Sequence, residues 1–515
     1  MGRPVKITDS APSTVTYGYD AAKEPRDLPI TMTDSAAGTF TATYGPDGEV
    51  ENETLPGGYS LTTSTDEAGF PTSRVYTRDS DGLTLLSDIA VGSIYDQTIS
   101  TTRSAGATNE QNYTYDRIGR LTQAAEEGTY NAQSRSYTFD DNSNRTQLVT
   151  KEEQPDGTTV QQTTNSTYDS ADRLTGTGIS YDDFGRTLTQ PGSTFTYYTN
   201  DLIHSQTSGD QKQTWNLDAE NRLASWTTET AGTSETPATT LTAVNHYGAN
   251  TDSPTWTVED TATGLRTRNV RALSDSLAAV TGITDRVVLE LTDLHGDAGI
   301  ALPLDTSLAP TVADTDEYGN TRAGTETARY NWLAAYQRSS QTPTGLILMG
   351  QRLYDPAAGR FLTTDPVDGG NANAYEYCSG DSVNCTDLSG QYGANRWGCG
   401  AFVDRPHQSG TPGHTHKINV HADLKCKTKV PRYSIRVSLY RSRWWGWEKI
   451  GSTGYVSGAN RYKDRAVANW APHGHCYYYK AVGEFMIHGG HTTIRSTVYN
   501  YDTHFIQGKK EMCVK

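Results

Sequence analysis

Long apolar runs are missing from this 515-residue chain, of which only 34% is hydrophobic. No stretch approaches the roughly 18 apolar residues of a transmembrane helix, so we expect no membrane-spanning segment. The opening residues, MGRPVKITDSAPS, also lack the apolar core of a signal peptide. We expect a secreted or cell-surface protein whose export route is not encoded in this N-terminus.

Cysteine is absent before Cys378, and all six cysteines lie from there onward. An even number in a compact region is typical of a disulfide framework formed in an oxidising compartment. Many pairings are open, but Cys378 and Cys385 are close enough in sequence to close their own loop. The other disulfide candidates are Cys399, Cys426, Cys476 and Cys513. Metal binding is the alternative, but no Cys-x-x-Cys pair is present, and we predict neither a metal nor a cofactor.

Charge is divided unevenly along the chain. Residues 392–515 contain 19 Lys and Arg against 7 Asp and Glu, whereas residues 1–391 contain 25 against 53. The net charges are therefore +12 and −28, which together give the −16 of the whole chain. An asymmetry of this size indicates two modules with different functions.

An aromatic-Asp signature recurs between residue 17 and about residue 230. The clearest copy is YDRIGRL at 115–121, and similar copies begin at Tyr168 and Tyr181. Each copy has a short alternating strand, a turn rich in Asp, Asn and Gly, and a second strand that begins with Arg. The pattern predicts successive β-hairpins in which the Arg contacts the Asp across the turn and has a structural role only.

These copies resemble the YD repeats of bacterial Rhs proteins, which are relatives of toxin-complex C subunits and teneurins. The segment from RYNWLAAYQ to GRFLTTDP at 329–366 is similar to the Rhs-associated core that ends the shell in that family. The resemblance implies an all-β fold in which the hairpins spiral into a hollow shell. Family shells need more repeats than this chain contains, so we expect part of a larger Rhs protein or a gene remnant.

Four segments are expected on this basis. They are YD repeats at 1–240, a connecting β segment at 241–328, the core with a self-cleavage segment at 329–391, and a basic effector domain at 392–515. Alternation in YSIRVSLYR and TIRSTVYNY predicts half-buried strands in the last segment. The predicted fold is therefore a partial β-hairpin shell followed by a small disulfide-stapled β domain.

Two aspartates close the core segment, each opening a turn-like run that ends in glycine. In the family, this region cuts its own chain with two carboxylates, as in aspartic proteases. The resemblance assigns Asp365 and Asp387 to the pair, Arg352 to an assisting cation, and Gln391-Tyr392 to the scissile bond. This chain departs from the family at Leu388, where proline is usual, and at Gln391, where leucine is usual. The alternative interpretation is that both aspartates only cap turns.

Histidine is concentrated in the basic segment, which contains nine of the twelve in the chain. A nuclease would use one histidine as general base, another as general acid, and a cation to stabilise the phosphorane. The effector candidates are His473, His475, His488, His491 and Arg495. Pairs such as His414/His416 could instead hold a metal, since alternate strand residues share a face. A surface or packing role is the ordinary alternative for any one of them.

Two functions are open for the whole chain. In the first, the shell and core enclose the C-terminal domain as cargo and release it as an antibacterial effector. Nucleic acid is then a candidate target, and an acidic immunity protein is a candidate partner. In the second, the chain is a cell-surface or wall-associated interaction protein whose Trp-rich tail binds an anionic polymer or lipid without catalysis.

Overall fold

The computed structural model is built from antiparallel β-strands and two short 3-10 helices, which confirms the all-β prediction. It describes residues 3–11, 13–45, 48–66, 71–93, 97–105, 108–127, 132–154, 156–248, 251–282, 286–322, 325, 328–366, 371–390, 399–403, 407–408, 417–430, 432–443, 446–453, 456–458, 461–470, 476–477, 479–488, 492–499 and 512–513. Among these residues, no helix is long and apolar enough to cross a membrane. The chain divides into two compact units, Met1–Pro366 with Ala372–Gly393, and Ala394–Lys515 with Val367–Asn371.

The first sheet of the larger unit has fourteen strands, each paired with the next along the chain. The strands are β1 (Lys6–Asp9), β2 (Ser13–Gly18), β3 (Thr31–Asp34), β4 (Gly38–Tyr44), β5 (Val50–Leu55), β6 (Tyr59–Thr65), β7 (Pro71–Arg78), β8 (Leu83–Gly92), β9 (Thr98–Ser104), β10 (Thr108–Tyr115), β11 (Leu121–Glu127), β12 (Gln133–Phe139), β13 (Arg145–Glu153) and β14 (Thr159–Asn165). This order is a chain of hairpins, as the repeats predict.

A two-stranded and a thirteen-stranded sheet continue the same pattern. The strands are β15 (Thr167–Tyr168), β16 (Leu174–Thr175), β17 (Ser180–Tyr181), β18 (Thr187–Gln190), β19 (Ser193–Tyr197), β20 (Ile203–Ser208), β21 (Gln211–Leu217), β22 (Leu223–Thr230), β23 (Thr239–His246), β24 (Trp256–Asp260), β25 (Leu265–Arg271), β26 (Leu277–Thr281), β27 (Val287–Thr292), β28 (Ala298–Pro303) and β29 (Thr311–Val312). The main core lies where the early strands of the fourteen-stranded sheet meet the late strands of the thirteen-stranded sheet. There Phe40 and Leu86 pack in one cluster with Ala279 and Leu289.

A three-stranded sheet follows and belongs to the core segment of the larger unit. Its strands are β30 (Ile347–Met349), β31 (Arg352–Asp355) and β32 (Arg360–Phe361), and the 3-10 helices are Ala334–Tyr336 and Cys378–Gly380. Large aromatic side chains, among them Trp332, Tyr354 and Tyr377, pack beneath this sheet with almost no exposure. We call this cluster the aromatic floor, and it supports the strands and turns that carry the functional candidates of the core segment.

The smaller unit is also antiparallel β-structure. Its strands are β33 (Cys399–Val403), β34 (His407–Gln408), β35 (Ile418–Val430), β36 (Arg432–Arg443), β37 (Gly446–Ser452), β38 (Val456–Gly458), β39 (Arg461–Trp470), β40 (Cys476–Tyr477), β41 (Tyr479–His488), β42 (Thr492–Tyr499) and β43 (Met512–Cys513). The alternating Ile435, Val437 and Leu439 of β36 are fully buried. The period of two correctly predicted this strand and its apolar face, but Ser434 and Ser438 on the other face are also buried, at 5% and 3% exposure, so the strand is more than half buried.

The repeat turns contain the predicted ion pairs. In the YDRIGRL copy, Arg120 Nε donates to Asp116 Oδ2 at 2.7 Å, while Asp116 Oδ1 accepts from the amide of Ile118 at 3.0 Å. The same Asp-Arg contact, four residues apart, occurs in the copies that contain Asp169, Asp182 and Asp218. In the looser copy at Asp140, Asn144 bonds to the carboxylate instead. The strand register shifts where Tyr115 pairs with Leu121, so a β-bulge precedes the turn.

The tyrosine of the signature has a role that the sequence did not disclose. Its hydroxyl donates to a backbone carbonyl of an earlier strand: Tyr115 to Thr98 at 2.6 Å, and Tyr168 to Arg145 at 2.8 Å. Tyr197, at the same place in a hairpin that lacks the Asp, does likewise with Thr187 at 2.8 Å. The arginine of a turn also reaches onward, because Arg120 Nη1 donates to the carbonyl of Asp140 in the next turn at 2.7 Å. The repeat at Tyr115 is therefore joined to the strand before it and to the turn after it.

Candidate functional site

The hairpin of β30 and β31 positions Arg352. Met349 and Arg352 are paired residues, so Arg352 is the first residue after the tight turn of Gly350 and Gln351. Its side chain is only 2% exposed and its guanidinium carbon lies 3.6 Å from the centroid of the Phe361 ring. A buried, stacked guanidinium has a fixed orientation, so its donors point in defined directions.

Two carboxylates converge on one nitrogen of this guanidinium. Arg352 Nη2 donates to Asp365 Oδ2 and to Asp387 Oδ2, each at 3.1 Å. The side chains of the two aspartates are 3% and 0% exposed. The structure thus brings together all three residues that the resemblance assigned to self-cleavage, and it removes them from bulk water.

Backbone contacts hold each aspartate in place. The amide of Asp365 donates to the carbonyl of Ala374 at 2.7 Å, and the same carbonyl accepts from Arg352 Nη1 at 3.3 Å. The amide of Asp387 donates to the Tyr377 hydroxyl at 3.1 Å. Tyr377 is fully buried in the aromatic floor, so it fixes the backbone at which the second carboxylate begins.

Asp387 opens a turn that closes at Gly390, whose amide donates to the Asp387 carbonyl at 3.4 Å. The carbonyl of Gly390 in turn accepts a short hydrogen bond from Arg352 Nε. The guanidinium therefore contacts both carboxylates and also the backbone just before Gln391. Gln391 and Tyr392, the predicted scissile pair, lie outside the described residues.

Two glycines allow the hairpin and this turn to touch. Gly350 and Gly390 both have positive φ, at 54° and 62°. A Cβ at Gly350 would collide with the Ser389 carbonyl, and a Cβ at Gly390 would collide with that of Met349. The close approach permits a hydrogen bond of 3.0 Å from the Gln351 amide to the Ser389 carbonyl. Glycine is required at both positions for conformation and for space.

Burial and charge act in opposite directions on the central cation. Desolvation lowers the pKa of the Arg352 guanidinium below its ordinary value, although Asp365 and Asp387 both act to raise it. Arginine stays charged in proteins despite such shifts. The guanidinium therefore lies against two buried acidic groups at once, and closely spaced buried carboxylates are typical of sites where carboxylates are used chemically.

The disulfide Cys378–Cys385 is formed and closes the loop between Tyr377 and Asp387. Asn384, within this loop, accepts from the Thr98 amide at 2.8 Å and donates to the Tyr115 hydroxyl at 2.9 Å. The loop therefore connects a YD repeat to the candidate carboxylate pair. Sequence proximity predicted this bridge correctly, but nothing in the sequence indicated the contact with the repeats.

The other cysteines are placed by strand register. Cys399 pairs with Cys426 between β33 and β35, and Cys476 pairs with Cys513 between β40 and β43. Directly opposite residues of antiparallel strands have Cα atoms about 4.5 to 5.5 Å apart, within the range that a disulfide spans. The bridges among these four cysteines remain predictions.

The effector candidates of the smaller unit are only partly placed. His488 lies at the end of β41 opposite Arg432, and Arg495 lies in β42 opposite Glu484. The remaining three, His473, His475 and His491, lie outside the described residues, as does the His414/His416 pair. Within the described residues no group of three metal-ligating side chains is found. The nuclease and metal interpretations stay untested predictions.

No protein-family model and no curated protein sequence matches this chain. Solved structures do match. The TcdB2-TccC3-TEV crystal structure aligns with a TM-score of 0.62 and 18% identity over 75% of this chain and 21% of that one. A Photorhabdus luminescens Tc holotoxin pore with mutated TccC3 aligns with a TM-score of 0.59 and 18% identity, over 76% and 21%. TcdB2-TccC3 without its hypervariable C-terminal region gives 0.57 and 18%, over 74% and 22%.

The chain has an Rhs-like β-shell fold. This likeness covers about three quarters of the chain, and the chain spans about a fifth of the length of those proteins. At 18% identity the comparison establishes the architecture, and the chemistry of the candidate site has to be argued from its own residues.

Sequence reasoning missed three contributors to the site. Phe361 stacks on the guanidinium, Tyr377 accepts the Asp387 amide, and Gly350 gives the hairpin tip room to approach the turn. None is a charged or nucleophilic residue, so no motif for chemistry marks them. The only available signal was the density of aromatic residues in the core segment.

Proposed function

We propose that this protein is an Rhs-type toxin carrier whose core segment cuts the chain after Gln391 and detaches the basic C-terminal domain. The observation that carries the proposal is the convergence of Asp365 and Asp387 on one nitrogen of buried Arg352. The turn that holds Asp387 ends one residue before the proposed cut, at the position where the net charge of the chain changes sign.

The proposed reaction is amide hydrolysis by an aspartic-protease mechanism. One carboxylate accepts a proton from water, whose oxygen attacks the carbonyl carbon of Gln391. The other, protonated, carboxyl group gives its proton to the nitrogen of Tyr392 as the C–N bond breaks. One water is consumed, and the products are a carboxyl terminus at Gln391 and an amino terminus at Tyr392.

Arg352 has a positioning role in this scheme. Its contacts with both carboxylates keep their oxygens near each other, and its bond to the Gly390 carbonyl holds the chain that enters the site. The departures at Leu388 and Gln391 do not remove these contacts. Leu388 packs against the aromatic floor, and the turn forms without proline because proline at that position is favoured but not required.

The partition of the chain follows from the proposal. Residues 1–240 and 241–328 form the partial shell, 329–391 form the cutting core, and 392–515 are the cargo. The likeness to TccC3 chains of a Tc toxin supports a toxin context. We further propose that the cargo, with its net charge of +12, acts on other bacteria and is matched by an acidic immunity protein.

Intact mass under denaturing and reducing conditions tests the cut. The wild-type chain should give a C-terminal fragment that begins at Tyr392, and Asp387→Asn should give only the full-length mass. Asp355→Asn is the matched control, because Asp355 lies on β31 beside the site and caps a separate turn through the Ala357 amide. An uncut wild-type chain, or an Asp387→Asn chain cut like the wild type, would contradict the proposal.

The role of the cargo is tested on living cells with the full chain. Export of the wild-type chain to the oxidising periplasm of a test bacterium should stop growth, and the uncut Asp387→Asn chain should not. Equal growth with both chains would reject the effector role while leaving the cut itself intact, because the cut is measured independently by mass.

A further inference from the structure

A surface cavity of about 290 Å³ lies in the larger unit, away from the carboxylate pair. One wall is the face of β21, β22 and β23, on which Gln211, Gln213 and Trp226 stand. The opposite wall is the segment 341–343 with Arg329. Its volume is near the lower end of ligand pockets, about 300 to 1,000 Å³, so a single small ring is the appropriate size of ligand.

The polar groups of the cavity are arranged on a fixed frame. Arg329 Nη1 donates to Glu259 Oε1 at 2.8 Å, and Arg329 Nε donates to the Gln341 side-chain oxygen at 2.7 Å. Gln213, only 3% exposed, donates to the Gln341 backbone carbonyl at 3.2 Å. These contacts tie the two walls together, so the amide and carboxylate groups hold their places before any ligand arrives.

The charge of the lining selects against ions. Arg329 and Glu259 are the charged side chains that line the cavity, and they contact each other through both nitrogen-oxygen pairs. Their charges cancel, which leaves neither a phosphate nor an ammonium ion a net attraction. The remaining polar lining is amide and hydroxyl, namely glutamines and threonines that each both donate and accept hydrogen bonds.

Trp226, together with Leu241 and Pro343, supplies the apolar part of the site. It is partly buried, it stands directly opposite buried Trp215 on β21, and its side chain lines the cavity. An indole face attracts the slightly positive C–H groups of a saturated ring. A sugar combines such a C–H face with hydroxyl groups around its edge, which is the combination that Trp226 and the surrounding amides complement.

We propose that this cavity binds one ring of a neutral saccharide, such as a hexose unit of a surface glycan. The ring stacks on Trp226, and its hydroxyls bond to Gln211, Gln213 and Thr228. This function is separate from self-cleavage, because none of these residues contacts Arg352 or its carboxylates in the described structure.

The test is saturation-transfer NMR followed by calorimetric titration of the full chain with maltotriose, cellotriose and chitotriose. At least one probe should bind. Trp226→Ala should weaken binding at least tenfold. Thr228→Val, which keeps its shape, should weaken it about threefold to tenfold through the loss of one hydrogen bond. The matched control Gln161→Leu, on the exposed strand β14, should bind like the wild type.

Two results would overturn the proposal. One is binding of none of the three probes at millimolar concentration, and the other is equal affinity in wild type and Thr228→Val. A charged probe, glucuronate, should bind more weakly than its neutral counterpart, and the reverse order would reject the neutral class. Because Trp226 also packs near the core, Thr228→Val decides the matter where Trp226→Ala does not fold.

Discussion

The hairpin turns and the core segment both pair aspartate with arginine, but they do so with different stoichiometry and burial. In the turn at Asp116, one carboxylate meets one guanidinium four residues later, and the two side chains are 23% and 14% exposed. In the core segment two carboxylates meet one guanidinium from separate parts of the chain, and none is more than 3% exposed.

The difference shows what kind of acidic pair is suited to chemistry. The pKa of Asp116 is lowered: burial acts to raise it, but hydrogen bonds from the Arg120 side chain and backbone outweigh burial. Such a carboxylate stays ionised and serves as a structural cap. In the core segment, Asp365 and Asp387 contact the same guanidinium nitrogen, which brings two buried carboxyl groups close together. Neighbouring carboxyl groups of this kind can share and transfer a proton.

The largest expected effect is on the rate of self-cleavage, which should distinguish an aspartate of the core segment from an aspartate of a repeat turn. Asp365→Asn should slow self-cleavage by about 10² to 10⁴-fold, the usual contribution of a positioned acid or base. Asp182→Asn, in a repeat turn, should leave the rate unchanged, since its arginine contact lies within the turn. The measurement is the time course of fragment appearance by mass. Similar slowing in both variants would mean that the core pair acts only through stability.

Replacing the arginine should lower the free energy of unfolding more in the core segment than in a repeat turn. Arg352→Met leaves two buried carboxylates without the guanidinium that both contact, and the loss of one partner of a buried charge cluster costs about 3 to 5 kcal/mol. Arg222→Met removes a partly exposed turn pair, for which about 1 kcal/mol or less is expected. Urea unfolding compares the two variants after mass has established which chains are cut. Equal midpoints would show that burial makes no difference.

The sequence predicted local features well and convergent ones poorly. The Asp-to-Arg contact of the turns spans four residues, so the motif itself encodes it. The alternation of Ile435, Val437 and Leu439 gave one buried face of β36 but did not indicate that the serines of the other face are buried too. The partners of Asp387 are different in kind. Tyr377 belongs to another part of the core segment, and the β30–β31 hairpin brings Arg352 to it from more distant sequence.

The resemblance to Rhs proteins identified the three charged residues of the core segment. The sequence by itself gives no reason to expect that they contact one another. No periodicity relates Arg352 to Asp387, because folding of two separate turns creates their contact. The tyrosine hydroxyls were missed for the same reason. Each bonds to the carbonyl of another strand, whose identity depends on the register between hairpins.

A buried carboxylate that makes no ion pair with arginine in the described structure, that of Glu53, should make stability depend on pH in a different way. Glu53 is 1% exposed and accepts from the Leu273 amide at 2.8 Å and the Ser274 hydroxyl at 3.3 Å. Burial raises its pKa from 4.5 to about 7. The folded state then binds a proton more tightly than the unfolded state, so stability is lost as pH rises from about 4.5 through 7.

Glu53→Gln should therefore be more stable than the wild type above pH 7, by about 3 kcal/mol at 1.36 kcal/mol per pKa unit. Below pH 4 the two chains should be alike, because Glu53 is then protonated in both folded and unfolded states. Asp116→Asn should instead be less stable than the wild type at neutral pH. The lowered pKa of Asp116 stabilises the wild type there, and that gain is lost in acid. Urea midpoints measured across this pH range would contradict the assignment if Glu53→Gln paralleled the wild type throughout.

The smallest expected effect concerns the tyrosines of the repeats. Two looser copies of the repeat, Phe139-Asp140 and Leu217-Asp218, have another residue where the signature has tyrosine. Their hairpins have the same bulge before the turn, so the hydroxyl is not needed to form a turn. Its contribution is the link to the earlier strand. Tyr197→Phe should cost about 1 kcal/mol for the lost bond to the Thr187 carbonyl, and Tyr168→Phe a similar amount.

The double variant tests whether these links act independently. Tyr168 and Tyr197 belong to different hairpins and bond to different carbonyls, so their costs should add within about 0.5 kcal/mol. A larger deviation from additivity in urea unfolding would show that successive repeats are coupled through the sheet. In that case the repeats would depend on one another, as the groups of the core segment do where one guanidinium joins separate parts of the chain. Their one-to-one ion pairs alone do not indicate such a dependence.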